Sequence, residues 1–511
     1  MKTFCQQHDK KIIGTISIFD RLIFKGYLPI NYPEAMEKFV DRQGWLRKEM
    51  AEKIKACSRQ VKVHAMTMTE NAGCPYKYFG RKIDKDATAK SIIRETGVTE
   101  GLACVIAVNE QNPSFALRYA KGRPGIKKAW PGCLTLYFYF LDREFGLIHV
   151  RLSTWFPFHL QVYVNGHEWL AKKLDAAGIG YRKIENSFVQ IDDPEKAQEI
   201  ADRFGKIKWE KRLHMFARRV NPMLRGLLRG MEYYWVADQA EYATDIMFKQ
   251  RGDLKELYKK LQSHAAVSFS AEDILGFLGR KLNGNFQGEV TSDFKVRRQG
   301  GRVKHRMKGN WIKMYDKQGV VLRIETVINH PHEFLAWRHG TRHGEPVEGW
   351  FPMCKRVSNL YRYAEVSLAA NARYLEALSV VDDPSRTVKE LGGLCERARL
   401  GKRKHRGLNP LKTEDRQLFR AVLRGENFIR GFRNSEVAKS LGVSRSSDPA
   451  ERRRRSARVG RRIQLLRAHG LVAKIPRTRR YKVTMKGHRL MSRSLEIYES
   501  WPNDASGAIA A

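Results

Sequence analysis

The chain has 511 residues, with 95 Lys and Arg against 54 Asp and Glu, a formal net charge of +41. Apolar residues make up 42%, which excludes a disordered chain, and the length suits about three domains. Such a charge on a folded chain points to a polyanionic partner, nucleic acid ahead of an anionic membrane face.

No run approaches the roughly 18 apolar residues of a spanning helix. The longest largely apolar stretch, 133–141, ends at Asp142-Arg143-Glu144. The first six residues lack a signal-peptide core. Seven cysteines are scattered without a CxxC pair, so a disulfide framework is not expected and a cytoplasmic location fits. No phosphate loop, no GxGxxG after a strand and no GxSxG elbow occurs, which argues against ATP-, NAD- or elbow-serine chemistry.

In chain order, strands are expected at 14–19, 61–66, 103–107, 135–140, 147–153 and 161–164, and helices at 36–56, 86–95 and 166–176. The aromatic run 155–158 reads as sheet core or as a stacking platform for bases. Residues 194–262 read as mostly helical. There Glu241 and Asp245 stand four apart, which places both carboxylates on one helical face. They read as surface partners of Lys and Arg or as metal ligands, and Tyr242 beside them is a candidate nucleophile.

Four strands are expected across 292–328, with turns at Gly300-Gly301 and Gln318-Gly319. The passage 311–326 places Lys313, Asp316, Lys317, Arg323 and Glu325 on adjacent strands. Carboxylates beside cations make either a metal and phosphate site, suited to Mg²⁺ or Mn²⁺, or a structural charge ladder. Ile312-Lys313-Met314-Tyr315-Asp316-Lys317 followed by Leu322-Arg323-Ile324-Glu325 is similar to the central hairpin of rolling-circle replication initiators from plasmids and filamentous phages. That resemblance implies a metal held by Asp316 and Glu325; Asp245 is a further candidate ligand from its spacing with Glu241. It also implies Lys313 and Lys317 near phosphate, and a tyrosine that cleaves one DNA strand, a part for which Tyr234 and Tyr242 are the candidates. The family's His-hydrophobe-His motif is missing; the nearest sequence is His330-Pro331-His332. His330, His332, His339, His343 and Cys354 read as a basic loop over DNA or as a transition-metal cluster. A further helix is expected at 357–374.

The charge concentrates near the end, with 27 Lys and Arg against 6 Asp and Glu between 401 and 490. Helices are expected at 413–424, 434–441 and 450–469, strands at 471–475 and 480–484, and a helix at 486–500. This is the order of a winged helix-turn-helix. The stretch 465–471 with 480–487 resembles the recognition-helix-to-wing passage of bacterial winged-helix regulators. The resemblance implies that Arg452, Arg453, Arg454, Arg455, Arg458, Arg461 and Arg462 face the major groove. Arg477, Arg479 and Arg480 would meet phosphate or the minor groove.

The expected fold is α+β: an N-terminal α+β domain (1–190), a helical segment with a central antiparallel hairpin domain (191–395), a basic linker (396–412), a winged helix-turn-helix (413–500) and a disordered tail (501–511). The whole resembles bacterial proteins of the mobile-element kind. The expected partner is double-stranded DNA, with single-stranded DNA or RNA as alternatives. No membrane is expected, and a homodimer is compatible with symmetric DNA sites. The expected activity is metal-dependent cutting of one DNA strand. The alternatives are a non-enzymatic regulator or a partner of a structured RNA.

Overall fold

The computed structural model describes residues 1–120, 123–267, 269, 271–280, 289–297, 300–381, 392–401, 403–409, 412–424, 427, 431–443 and 447–499. The fold is α+β. Two compact units form: Ile12–Arg251 with Gly309–Ala369, and Met1–Lys11 with Gly252–Lys308 and Ala370–Ala511.

The first of these is built on a sheet. Its strands run in the order Asn310–Lys317, Val321–Ile328, Tyr234–Phe248, Ile12–Tyr27, Leu160–Val164, Gly146–Ser153, Gly132–Asp142, Gly101–Gln111 and Tyr76–Phe79. The pairs are antiparallel except the last, Gly101–Gln111 with Tyr76–Phe79. Strand alternation separates two faces. Along Gly146–Ser153 and Leu160–Val164, Ile148, Val150 and Val162 are buried, while His149, Arg151 and Tyr163 are half-buried. Helices Gly166–Ala177, Pro194–Ala201 and Trp209–Val220 pack against the strands. Trp209 sits among Phe24, Phe145 and Phe204, with ring centroids 4.9, 5.2 and 5.2 Å away. Burying a ring of this kind stabilises by roughly 1.5–3 kcal/mol. Asn165 caps Gly166–Ala177 by accepting from the amides of His167 (2.8 Å) and Glu168 (3.3 Å), which fixes His167 at the start of the helix.

Three expectations are corrected here. Residues 61–66 lie in the helix Met50–Ala72, not in a strand. Its buried Ile54, Cys57, Val61 and Ala65 recur at spacings of three and four, the period of a helix face. The helix expected over 36–56 is two helices, Pro33–Arg42 and Met50–Ala72, parted at Gly44 with φ 65°. The helical reading of 194–262 fails at Tyr234–Phe248, which is a strand paired on both sides. Its Tyr, Trp, Val, Thr and Ile content suits a pleated, buried position.

The other unit contains the hairpin Val290–Arg297 with Gly300–Met307. Its C-terminal part runs Thr413–Val422, Asn434–Ser440, Pro449–Ala468, Val472–Lys474, Tyr481–Val483, Met485–Glu499, that is helix, helix, helix, hairpin, helix. Leu418, Phe419, Val437, Ile463 and Leu466 share its core. Asp448 caps the long helix by accepting from Ala450 (3.0 Å) and Glu451 (3.1 Å), with Pro449 in the first turn. Gly470, at φ 72°, follows its end. Within the segment expected as a basic linker, Ala398–Leu400 pairs with Arg403–His405. The tail at 501–511 lies outside the described residues. Among the described residues no helix is long and apolar enough to cross a membrane.

Candidate functional site

Three strands of the Ile12–Arg251 and Gly309–Ala369 unit align polar side chains on one face. Lys313 pairs with Glu325, and Glu325 with Ala243; Tyr315 pairs with Arg323, and Arg323 with Asp245. Residues two apart on a strand share a face, so Glu241 joins Ala243 and Asp245. The fourth contributor is Ile12–Tyr27. Its register steps from Phe19 opposite Tyr242 to Arg21 opposite Glu241, leaving Asp20 as the extra residue of a β-bulge. A bulge re-aims a side chain, and this one brings Asp20 to the carboxylates of the neighbouring strands. Asp20, Glu241 and Glu325 offer oxygens that all lie within 4.8 Å of one another. This buried acidic triad could hold a metal ion. It is the group of His, Cys, Asp and Glu side chains so placed among the described residues.

Lys313 Nζ lies 3.2 Å from Glu241 and closer still to Glu325. The three carboxylates are not equivalent. Burial pushes Glu325 up to about 8; Lys313 pulls against this, and Glu241 and Asp20 add to the rise. Burial would also raise Asp20, but the Arg323 guanidinium and His167 hold it well below the usual carboxylate range. Burial would raise Glu241, but Lys313, a hydrogen bond with Glu325 and Arg21 together lower it. Lys313 is itself raised, Glu325 and Glu241 outweighing its desolvation. The site therefore contains one carboxyl that exchanges a proton near neutrality beside two that stay ionised.

Arg323, 1% exposed, fixes this arrangement from behind. Its Nε and Nη2 donate to Asp245 at 2.6 and 2.7 Å. Its Nη1 lies 3.0 Å from Asp20, and Nη2 also donates to the Asn186 carbonyl at 2.7 Å. His167 lies 3.2 Å from both Asp20 and Asp245. The hairpin Tyr181–Ile184 with Ser187–Ile191 supplies Asn186 from its turn. Asn186 donates to Asp20 (3.0 Å) and accepts from Lys317 (2.9 Å).

The structure pairs Lys313 with Glu325 and turns Lys317 to Asn186, and it places three other residues differently from the sequence expectation. Asp316 does not join the triad. Strand alternation separates it from Tyr315 and Lys317, and its Oδ1 accepts from the Gly319 amide at 2.8 Å, closing the turn. Asp245 is held by Arg323 and His167 and is not one of the three converging carboxylates. Tyr242 follows Glu241 on a strand and so points to the opposite face, where its ring meets Phe19 edge-on at 5.1 Å. Burial pushes its pKa up, which is unfit for an attacking phenolate. Asp20 and His167 were not singled out from the sequence. The usable signal for Asp20 was an acid inside the otherwise apolar run 16–24. Phe156 and Phe158 are fully buried, so that aromatic run is core. His330 and His332 lie at the short helical turn Pro331–Glu333, and His339 and His343 on an exposed hairpin.

On the Arg-rich helix Pro449–Ala468, Arg452, Arg453, Arg454, Arg458 and Arg461 are exposed. Arg455 bonds Glu451 at 2.9 Å, and Arg462 lies 3.9 Å from Glu414. Arg477 and Arg479 are exposed on the hairpin turn. Arg480 bonds the Gly431 carbonyl (2.8 Å) and Glu436 (3.3 Å).

Comparison of the chain with protein-family models, curated proteins and solved structures finds no match.

Proposed function

We propose that this chain is a nucleic-acid-binding protein of the mobile-element kind that hydrolyses one strand of DNA at Asp20, Glu241 and Glu325, using Mg²⁺ or Mn²⁺. The observation that carries the reading is the convergence of three buried carboxylates beside Lys313 in a chain of net charge +41. Oxygen ligands suit a hard divalent cation, which supplies a polarised phosphoryl group and a more acidic water. In this reading a water oxygen bonds to phosphorus and the phosphorus–oxygen ester bond breaks. Glu325 takes the water's proton, solvent protonates the leaving alkoxide, and Lys313 offsets charge on the phosphoryl oxygens. A tyrosyl intermediate is not part of it, because Tyr242 faces away and burial raises the pKa of Tyr315.

With labelled DNA and Mn²⁺, Glu325→Gln is expected to lower cleavage at least about a hundredfold, the scale of a lost proton acceptor, with duplex affinity unchanged. Equal cleavage by the variant, or none by the native chain with either metal, would remove the nuclease reading. The second reading, a DNA-binding protein without catalysis, draws on Lys313 as an internal counter-ion of Glu241 and Glu325. It expects no heat of Mn²⁺ binding.

The duplex contact in both readings is the helix Pro449–Ala468 with the turn at Arg477 and Arg479, used as a winged helix uses its recognition helix and wing. Arg458→Ala and Arg461→Ala should each weaken duplex binding and reduce the salt slope by about 1. Arg480→Ala should lower stability and leave that slope alone. Anisotropy titrations at several salt concentrations check both, and equal slopes for all three variants would contradict the assignment.

A further inference from the structure

The hairpin Leu335–Arg342 with Glu345–Pro352 exposes a pair of indole rings. Its register sets Trp337 opposite Trp350, and these rings are 49% and 47% exposed. They meet edge-on at 5.8 Å. Leu335 on the same face is 48% exposed and nearby Tyr361 is 41% exposed. The opposite face is anchored differently. Phe351 lies over Gly340, where a Cβ would meet its ring at 2.6 Å. Arg338 and Arg342 flank Phe351 at 5.2 and 5.3 Å. Phe351 and these arginines pack that face, while each indole on the other keeps about half of its surface exposed.

One cation packs on them. Arg362 stands over the Trp350 ring at 5.0 Å, donates to the Leu335 carbonyl at 2.9 Å and pairs with Glu365 at 2.7 Å, an exchangeable partner on the surface. Five Lys and Arg face two Glu between 335 and 362. Wide aromatic faces among guanidinium groups complement a polymer with flat π-systems on a polyanionic backbone. A duplex hides its base faces in the stack; a single strand presents them. The hairpin also leads back to the strand that carries Glu241. Lys355, just past Pro352, bonds Asp238 at 3.3 Å. Asp238 precedes Glu241 by three residues on the strand Tyr234–Phe248, about 10 Å along it.

We infer that Trp337 and Trp350, with Arg362, form a base-stacking site for single-stranded nucleic acid that holds the strand beside the Asp20–Glu241–Glu325 triad. The inference rests on the nucleic-acid reading above and not on the cleavage step. A single strand stacks a base on each indole, and Arg362 meets the backbone.

The test uses the full chain and a labelled oligodeoxythymidylate, with a duplex of equal length and anionic phospholipid vesicles as further probes. Trp337→Ala and Trp350→Ala are each expected to weaken single-strand affinity about tenfold, within the range of one lost base stack. Duplex affinity should stay the same, and Trp350→Phe should restore most of the loss. Circular dichroism and melting checks that the fold is retained. Single-strand affinity unchanged in the double alanine variant overturns the inference, whether or not the protein cleaves DNA. Failure of the native chain to bind the oligonucleotide also overturns it, as does a blue-shifted tryptophan emission on vesicles without quenching by the oligonucleotide. Glu325→Gln separates the two proposals: it should lose cleavage and keep single-strand affinity.

Discussion

Arg323→Met is expected to destabilise the Ile12–Arg251 and Gly309–Ala369 unit by about 3–5 kcal/mol, the cost of leaving a buried charge without its partner. The methionine is of similar length and apolar, so packing alone predicts a small effect. The guanidinium, however, bonds Asp245 twice and lies 3.0 Å from Asp20, and Asp245 is fully buried. Removing it strands both carboxylates in a low dielectric. The pH dependence should change sign. In the native chain, Asp20 and Asp245 are held below their ordinary range. Their contribution is present above the unfolded pKa and is lost as pH falls through the folded one. In the variant their pKa values rise above the unfolded values, so folding gains stability as acid protonates them. Adding Asp245→Asn should recover part of the loss, because a neutral amide is cheaper to bury. Urea midpoints at pH 5 and pH 8 check this. A midpoint that hardly moves at either pH would show that the cluster is not what holds these strands.

Much of this neighbourhood could be read from the chain, and the parts that could not share a cause. The hairpin across 311–328 announces itself by period-two alternation and the Gln318-Gly319 turn, and with it the Lys313–Glu325 pair. The segment around Glu241 was read with the wrong period. Residues four apart share a face on a helix and on a strand alike, so Glu241 and Asp245 were rightly placed on one side. Their neighbour was not: a helix turns about 100° per residue and a strand about 180°, which is why Tyr242 seemed close to the carboxylates and lies behind them. Asp20 depends on a bulge, a two-against-one pairing between strands more than 200 positions apart, and no local pattern encodes it. Arg480 at the hairpin is similar: its partner Glu436 lies on the helix Asn434–Ser440. The order of the C-terminal elements was legible because its signals are local, with Asp448 and Pro449 opening the long helix and Gly470 ending it.

Lys313→Met should separate a metal site from an internal salt bridge. Lys313 is the ammonium group closest to Glu241 and Glu325, and its loss is expected to cost about 3–5 kcal/mol without added metal. The penalty should grow with pH. Glu325 already sits at about 8, above its unfolded value, so its contribution is present at low pH and lost as pH rises through 8. Without the lysine that pKa moves further up, and ionising Glu325 becomes harder still. A divalent cation that binds the triad replaces the missing charge. Mn²⁺ should then raise the melting temperature of Lys313→Met more than that of the native chain, by an increment that follows metal concentration. In both proteins the increment should increase with pH, because binding displaces the Glu325 proton. Thermal melts from pH 6 to pH 9, with and without Mn²⁺, test this. Destabilisation that Mn²⁺ leaves untouched at every pH would mean that Asp20, Glu241 and Glu325 form a structural ladder with Lys313. The nuclease reading would fall with it.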